Sequence, residues 1–264
     1  MTELAVSASP PARALAGIGR VLMWRGGSVW ISRDTGRVPP HAHHAIQLTL
    51  APFGPVRIRE AADLPWQAAS GSIVMPDQAH EFDGCGQTLL MLFVEPESVA
   101  GRRLVARHGH APVSAIDDTP ALHGAARLLE AFAANADETR LVEGARHLVD
   151  LVAGEVAAPA RIDPRITAAV EWLRDRIEQP VTLAQAAAVA HLSPSRFRHL
   201  FVAQTGVSFR AYLLWGRVSR AIVRGMAGAA WTDAAQASGF ADSAHLSRTC
   251  RRMFGIAPSM LGRE

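Results

Sequence analysis

Two stretches near the end of the chain place small polar and basic side chains at the spacing of one helical face. The first is Ser195, Arg196, Arg198 and His199, after Leu192-Ser193-Pro194. The second is Ser243, His245, Ser247, Arg248 and Arg251, after Gly239-Phe240-Ala241-Asp242. An arginine can donate two parallel hydrogen bonds to N7 and O6 of guanine, and serine or histidine can serve several base edges. Further arginines and helix N-termini can grip phosphates, which positions a protein without reading sequence. Any one of these side chains could equally be a solvated surface group, and the repetition argues for a shared purpose. A third constellation lies early in the chain, His41-Ala42-His43-His44-Ala45-Ile46-Gln47, followed later by His80. Its imidazoles could line a small-molecule pocket, hold a divalent metal with one open position, or satisfy hydrogen bonds within a core.

The elements that must carry the first two stretches are legible. Ile166, Val170, Leu173 and Ile177 repeat as the buried stripe of a scaffold helix opened by Asp163-Pro164, a cap and first helical residue. Thr182 with Gln185 is a capping box, and Ala186, Ala187 and Ala190 give the next helix a small face for close packing. Ser193-Pro194 then caps a second helix whose Phe197, Leu200 and Phe201 turn inward, and Gly206 is placed to end it. About 49 residues later the pattern returns from Trp231 through the cap Asp242, with Leu246, Cys250 and Met253 inward. Each copy is a helix, a tight turn and a second helix with a basic outer face. Double-stranded DNA is the partner this implies.

Charge agrees. The chain has 27 basic residues, all arginine, and a net charge of +3. Residues 161–264 carry a net +7 and residues 1–160 a net −4, so only the C-terminal part suits a polyanion. No apolar run reaches the ~20 residues of a membrane helix, and no secretory signal is visible, which points to a cytoplasmic protein without membrane contact. Cys85 and Cys250 are far apart and offer no zinc-finger spacing.

Upstream, residues 1–16 are rich in Ala, Ser and Pro and read as disordered. Short apolar stretches follow at Ser28–Ile31, Ile46–Leu50, Val56–Ile58, Ser72–Met75 and Thr88–Val94, separated by turn residues, as in a small barrel or sandwich. Beyond Pro120 the period becomes helical. Leu141, Ala145, Leu148 and Val152 form a stripe that could pair with its copy in a homodimer or pack on the strands.

The C-terminal motifs resemble the AraC/XylS family of bacterial transcription regulators. The carrying residues are Leu192-Ser193-Pro194-Ser195-Arg196-Phe197, Phe201 and Gly206, then Ala235, Gly239-Phe240-Ala241-Asp242, Ser247-Arg248, Phe254-Gly255 and Pro258. Tyr212-Leu213 with Arg217 and Arg220-Ala221 is similar to the family's linker helix. The resemblance implies DNA contacts at Ser195, Arg196, Arg198, His199, Arg217, Arg220, Ser243, His245, Ser247, Arg248 and Arg251. Leu246, Cys250 and Leu261 stand where the family has aromatic residues, so the second copy is expected to pack less firmly. The histidine stretch and Gly71–Pro76 resemble the two short motifs of cupin barrels, with Gln47 in place of the usual Glu. An amide is a poorer cation ligand than a carboxylate and can donate to a ligand instead.

The expected fold is therefore α+β and multidomain. Residues 17–112 form a cupin-like β-barrel that binds an effector through His41, His43, Gln47 and His80, and 113–160 form a helical dimerisation or linker region. Residues 161–264 form an all-α domain with two helix-turn-helix motifs. The expected function is DNA-binding regulation under a small-molecule effector, with RNA polymerase as a further partner and no catalysis. An alternative is a cupin-type oxygenase or isomerase using a divalent metal on His41, His43 and His80. A DNA-repair methyltransferase is disfavoured by the two isolated cysteines. A regulator with no effector stays open.

Overall fold

The computed structural model describes residues 18–155 and 161–262. The expected disorder at 1–16 and most of the suggested 157–161 linker lie outside them. Eight antiparallel strands form one sheet: β1 Ile18–Trp24, β2 Gly27–His41, β3 Ile46–Leu50, β4 Val56–Arg59, β5 Gln67–Ala69, β6 Gly71–Val74, β7 His80–Val94 and β8 Val113–Ala115. The two 15-residue strands β2 and β7 are the spine. One half of β7 pairs with β2 and β3, and the other with β2 and β4. The β2–β7 register shifts between Ser32 and Arg37 and again before His41, so both strands bend and the sheet folds over on itself.

That folding stops short of a barrel. Among the described residues β1 and β8 pair with β2 and β6 but not with each other, so the strand-rich N-terminal domain is as expected but its sheet does not close. Helix α7, Phe209–Met226, contacts β1, and helix α9, Ser243–Phe254, contacts β2. The sheet also takes in Val113–Ala115, a little past the limit that its sequence suggests.

Helices α1 Val99–His108, α2 Thr119–Ala133 and α3 Glu138–Ala153 cover the other face. The stripe Leu141, Ala145, Leu148 and Val152 is at most 1% exposed within the single chain. It packs with α2 and with Ile46, Leu48 and Leu92 of the sheet. That burial leaves no apolar seam there for a second copy.

The C-terminal part contains α4 Pro164–Arg174, α5 Leu183–Val189, α6 Pro194–Thr205, α7, α8 Trp231–Ala237 and α9. Asp163, Thr182, Ser193 and Asp242 cap their helices by accepting from backbone N–H groups, and Thr182 and Gln185 close the capping box. Gly206 and Gly255 end α6 and α9 with φ of 82° and 72°, a region open to glycine. No helix among the described residues is long and apolar enough to cross a membrane.

The apolar residues sort into unequal cores. The first helix-turn-helix has its own, built on Phe197, Phe201, Ile166, Leu173 and Tyr212. The second does not. Its Leu246, Cys250, Met253 and Phe254, with Ile256 and Leu261, join one cluster with Trp30, Val38, Phe82 and Phe93 from the sheet. Burying a residue such as Phe254 or Ile256 contributes roughly 1.5–3 kcal/mol, most of it lost if the sheet withdrew. Gly255 marks how close the approach is: a Cβ there would lie 2.6 Å from Val38 Cγ1 and 2.8 Å from the Pro39 carbonyl oxygen.

A buried ion cluster holds the first head to the sheet. His44 donates to Glu97 at 3.1 Å, and Arg174 of α4 pairs with Glu95, with Glu171 at 2.7 Å and with Glu97 at 3.8 Å. Burial and the adjacent Glu97 raise the Glu95 pKa. Burial would also raise Glu97, but the hydrogen bond and charge of His44 outweigh it. Removing one partner leaves buried charge uncompensated. Arg174→Met is therefore expected to cost about 3–5 kcal/mol in urea denaturation. A loss under about 1 kcal/mol would show that the cluster is solvated in solution.

Candidate functional site

The first head presents its polar face freely. Ser195, Arg196, Arg198 and His199 sit on the first turns of α6, all exposed, above the packed rings of Phe197 and Phe201 (5.3 Å between centroids). The Ser193 cap and Pro194 fix where α6 begins, so these side chains leave a rigid helix at a set angle.

The second head is more constrained. The Asp242 carboxylate accepts the His245 N–H at 2.6 Å, and the His245 ring packs edge-on to Phe240 at 5.2 Å. Arg248 and Arg251 are exposed, whereas Ser243, His245 and Ser247 are half-buried. Helix α8 opens at Ala230 without a side-chain cap.

The two linker arginines part company. Arg217 donates from Nε to the Ile177 carbonyl at 2.9 Å, from Nη2 to Gln179 at 2.8 Å and from Nη1 to Gly239 at 3.4 Å. Its guanidinium ties the scaffold helix to the second head. Arg220 lines a cleft towards the sheet with Arg25, Asp175 and Tyr212. On the other side of α7, Arg210, Arg217, His245, Arg248 and Arg252 line a groove of about 580 Å³ between α7 and α9. Arg210 and Arg252 were missed from sequence. The Arg210, Leu213, Leu214, Arg217 spacing along one helical face is the signal that could have found Arg210.

The structure gathers the four N-terminal candidates. His41 and His80 face one another in the β2–β7 register, and the rings of His41, His43 and His80 lie 4.2–5.7 Å apart. Each Nδ1 meets a backbone carbonyl: His41 that of Pro39 at 2.8 Å, His43 that of Ala45 at 2.8 Å, and His80 that of Gln78 at 3.0 Å. A carbonyl only accepts, so the proton is on Nδ1 and each Nε2 is a bare lone pair. Burial lowers the His41 pKa and, helped by the neighbouring imidazoles, takes His43 to about 4 and His80 to about 2, so all three are neutral near pH 7.

Gln47 decides how many lone pairs are free. Its amide meets His43 Nε2 at 3.0 Å on one side and Thr49 Oγ1 at 3.1 Å on the other. With the oxygen towards His43, two acceptors would oppose each other. The structure has the Gln47 oxygen facing His43 and its nitrogen donating to Thr49 Oγ1; turned over, the amide would donate to His43 and accept from the Thr49 hydroxyl, satisfying every contact. His80 Nε2 stays buried without a partner. The three imidazoles, with ligand atoms within 4.8 Å of one another, fit a divalent cation in number and orientation. Holding one would require the Gln47 amide to turn and release His43.

Around these rings the sheet interior is nearly full. About 20 Å³ of free space remains, room for about one water, lined by Trp30, His41, Gln47 and Phe93 with Phe254 and Ile256 of the second head. Larger cavities lie outside, between sheet and first head, including one of about 480 Å³ lined by Arg25, Arg102, Arg161 and Arg174 with Glu97 and Glu171. Burial pushes the Cys250 thiol up to about 12, so it offers no thiolate nucleophile.

Residues 186–264 match a family model described as a helix-turn-helix domain. YpdC, an uncharacterised helix-turn-helix transcriptional regulator of Escherichia coli K12, is 30% identical over 88 residues. That match covers 33% of this chain and spans 31% of the length of YpdC. Among solved structures, the apo form of a ToxT variant from Vibrio cholerae strain SCE256 aligns with a TM-score of 0.59 at 12% identity, over 90% of this chain and 97% of that one. Wild-type ToxT of that strain with an unsaturated fatty acid bound aligns with a TM-score of 0.54 at 12% identity, over 92% and 100%. These likenesses show the same two-part fold, strands first and paired helix-turn-helix units last. Residues 186–264, from within α5 to the end of the chain, are thus similar to a helix-turn-helix domain.

Proposed function

We propose that the protein is a sequence-specific transcription regulator that reads double-stranded DNA with both heads and is controlled by a small-molecule effector bound in its N-terminal part. The observation that carries this is the pair of capped recognition helices, α6 and α9, with exposed Ser, Arg and His side chains on a domain of the matching family. Arg198 leads the base reading, because it is exposed on the first turns of the recognition helix that has its own core. Arg210, Arg248 and Arg252 supply phosphate contacts along the α7–α9 groove. In this reading the protein works in the cytoplasm without catalysis, and its DNA-bound form is placed to touch RNA polymerase. Since the α3 stripe is used within the chain, a homodimer would form through another face.

One ToxT structure has an unsaturated fatty acid bound. A carboxylate effector here would find cationic partners in the cleft at Arg25, Arg102 and Arg174. A second reading, a metal-dependent oxygenase or isomerase, is favoured only by the fit of three imidazoles to a cation.

On the operator found by genome-wide mapping of bound DNA, Arg198→Ala should cost roughly 1–3 kcal/mol and relax the sequence preference. An equal loss on specific and non-specific DNA would make Arg198 a phosphate contact. Arg210→Ala should weaken binding to all sequences and lower the salt slope by about one, whereas Arg220→Ala should leave the slope unchanged. The metal reading has its own check. Elemental analysis of protein purified without chelator, before and after zinc titration, is expected to show less than stoichiometric metal. A stoichiometric metal lost in His80→Leu, together with turnover, would establish the enzyme instead.

A further inference from the structure

We propose that the sheet interior takes an uncharged ring-bearing ligand that donates a hydrogen bond, and that the ligand's ring occupies the place now filled by Phe254 of the second head. This rests on reading that interior as the effector site.

The polar end of the space sets the first requirement. His41 lines the space, and its Nε2 is left bare by its Nδ1–H bond to Pro39; directly behind it, 4.2 Å between ring centroids, His80 has a buried Nε2 without a partner. An incoming group must therefore donate, as a phenol, alcohol or amine does. No arginine or lysine is among the described residues lining the space. A carboxylate brought there would be a buried, unpaired charge.

The apolar end sets the second requirement. Phe254 lies 4.9 Å from Trp30 at 32°, 5.6 Å from Phe93 at 88° and 5.6 Å from Trp215 at 37°. Three aromatic walls around one ring define a slot for a flat ring. With Phe254 in place about 20 Å³ is free, whereas a benzene-sized guest needs on the order of 150 Å³. Ligand and Phe254 are thus mutually exclusive. Gly255, pressed against Val38 and Pro39, and Ile256 beside it show that the segment enters as a unit and must leave as one. Binding would free the end of α9 from the sheet.

The test uses the full-length protein without DNA and p-cresol as probe, followed by calorimetry and by the fluorescence of Trp30 and Trp215. We expect p-cresol to bind at least about tenfold more tightly than toluene or benzoate, and about tenfold more tightly again to Phe254→Leu, where the competing ring is gone. His80→Leu should abolish the preference for p-cresol over toluene. Hydrogen exchange of residues 254–261 in the wild-type protein should speed up on adding p-cresol, a readout that stands even if Phe254→Leu fails to fold. Unchanged exchange, equal affinity for Phe254→Leu, or tighter binding of benzoate would each overturn the proposal. So would zinc binding that blocks p-cresol and is lost in His80→Leu. A protein that binds p-cresol in this way yet no operator DNA would sink the regulator reading alone, and the opposite result would sink this one alone.

Discussion

The structure turns on an incomplete core. The second head, built from α8 and α9, has Leu246 and Cys250 at positions where bulkier rings would fill its centre, and it completes its apolar face against the sheet. Trp30, Phe82 and Phe93 on one side and Met253, Phe254 and Ile256 on the other form one cluster. The hydrophobic effect is indifferent to which domain supplies the carbon, so long as water leaves. A weakness read within the second head is thus a contact between head and sensor.

Other features follow from that contact. Helix α7 and the second head cover part of the open sheet, α7 on the edge strand β1 and α9 on β2. Phe254 and Ile256 close the space beside the histidine cluster, and burial there lowers the pKa of its imidazoles. The first head has a self-contained core and touches the sheet through charge, at Arg174, Glu95 and Glu97. One head is held by apolar packing and the other by ions, so heat, salt and pH act on them differently.

Much of this was legible in the sequence, and for a shared reason. The caps at Asp163, Thr182, Ser193 and Asp242 and the left-handed glycines at 206 and 255 are decided within a few residues, so local chemistry shows them. The convergence of His41, His43 and His80 was readable through a motif that already encodes the strand pairing. The open sheet was not, because closure depends on whether β1 and β8, about 90 residues apart, pair with each other. Nor was the fate of Phe254, since an apolar residue at helical spacing says that it will be buried and not in which core. Arg217 shows the same limit: the resemblance marks it as a DNA contact, and nothing local shows that three backbone carbonyls also engage its guanidinium.

Helix α7 carries one further meaning. Tyr212 and Leu213 at its start belong to the first head's core, and Trp215, Val218 and Ile222 just beyond belong to the core shared with the sheet. A single rod of 18 residues, about 27 Å long, is clamped at each end in a different medium. A helix is stiff in torsion over that length, so a repacking around Trp215 turns the rod rather than bending it. On the reading of the protein as an effector-controlled regulator, a repacking around Trp215 would change the distance and phase between α6 and α9. In mechanical terms the rod would then act as an adjustable caliper, and the spacing of the DNA sites the two heads can span is what it would adjust.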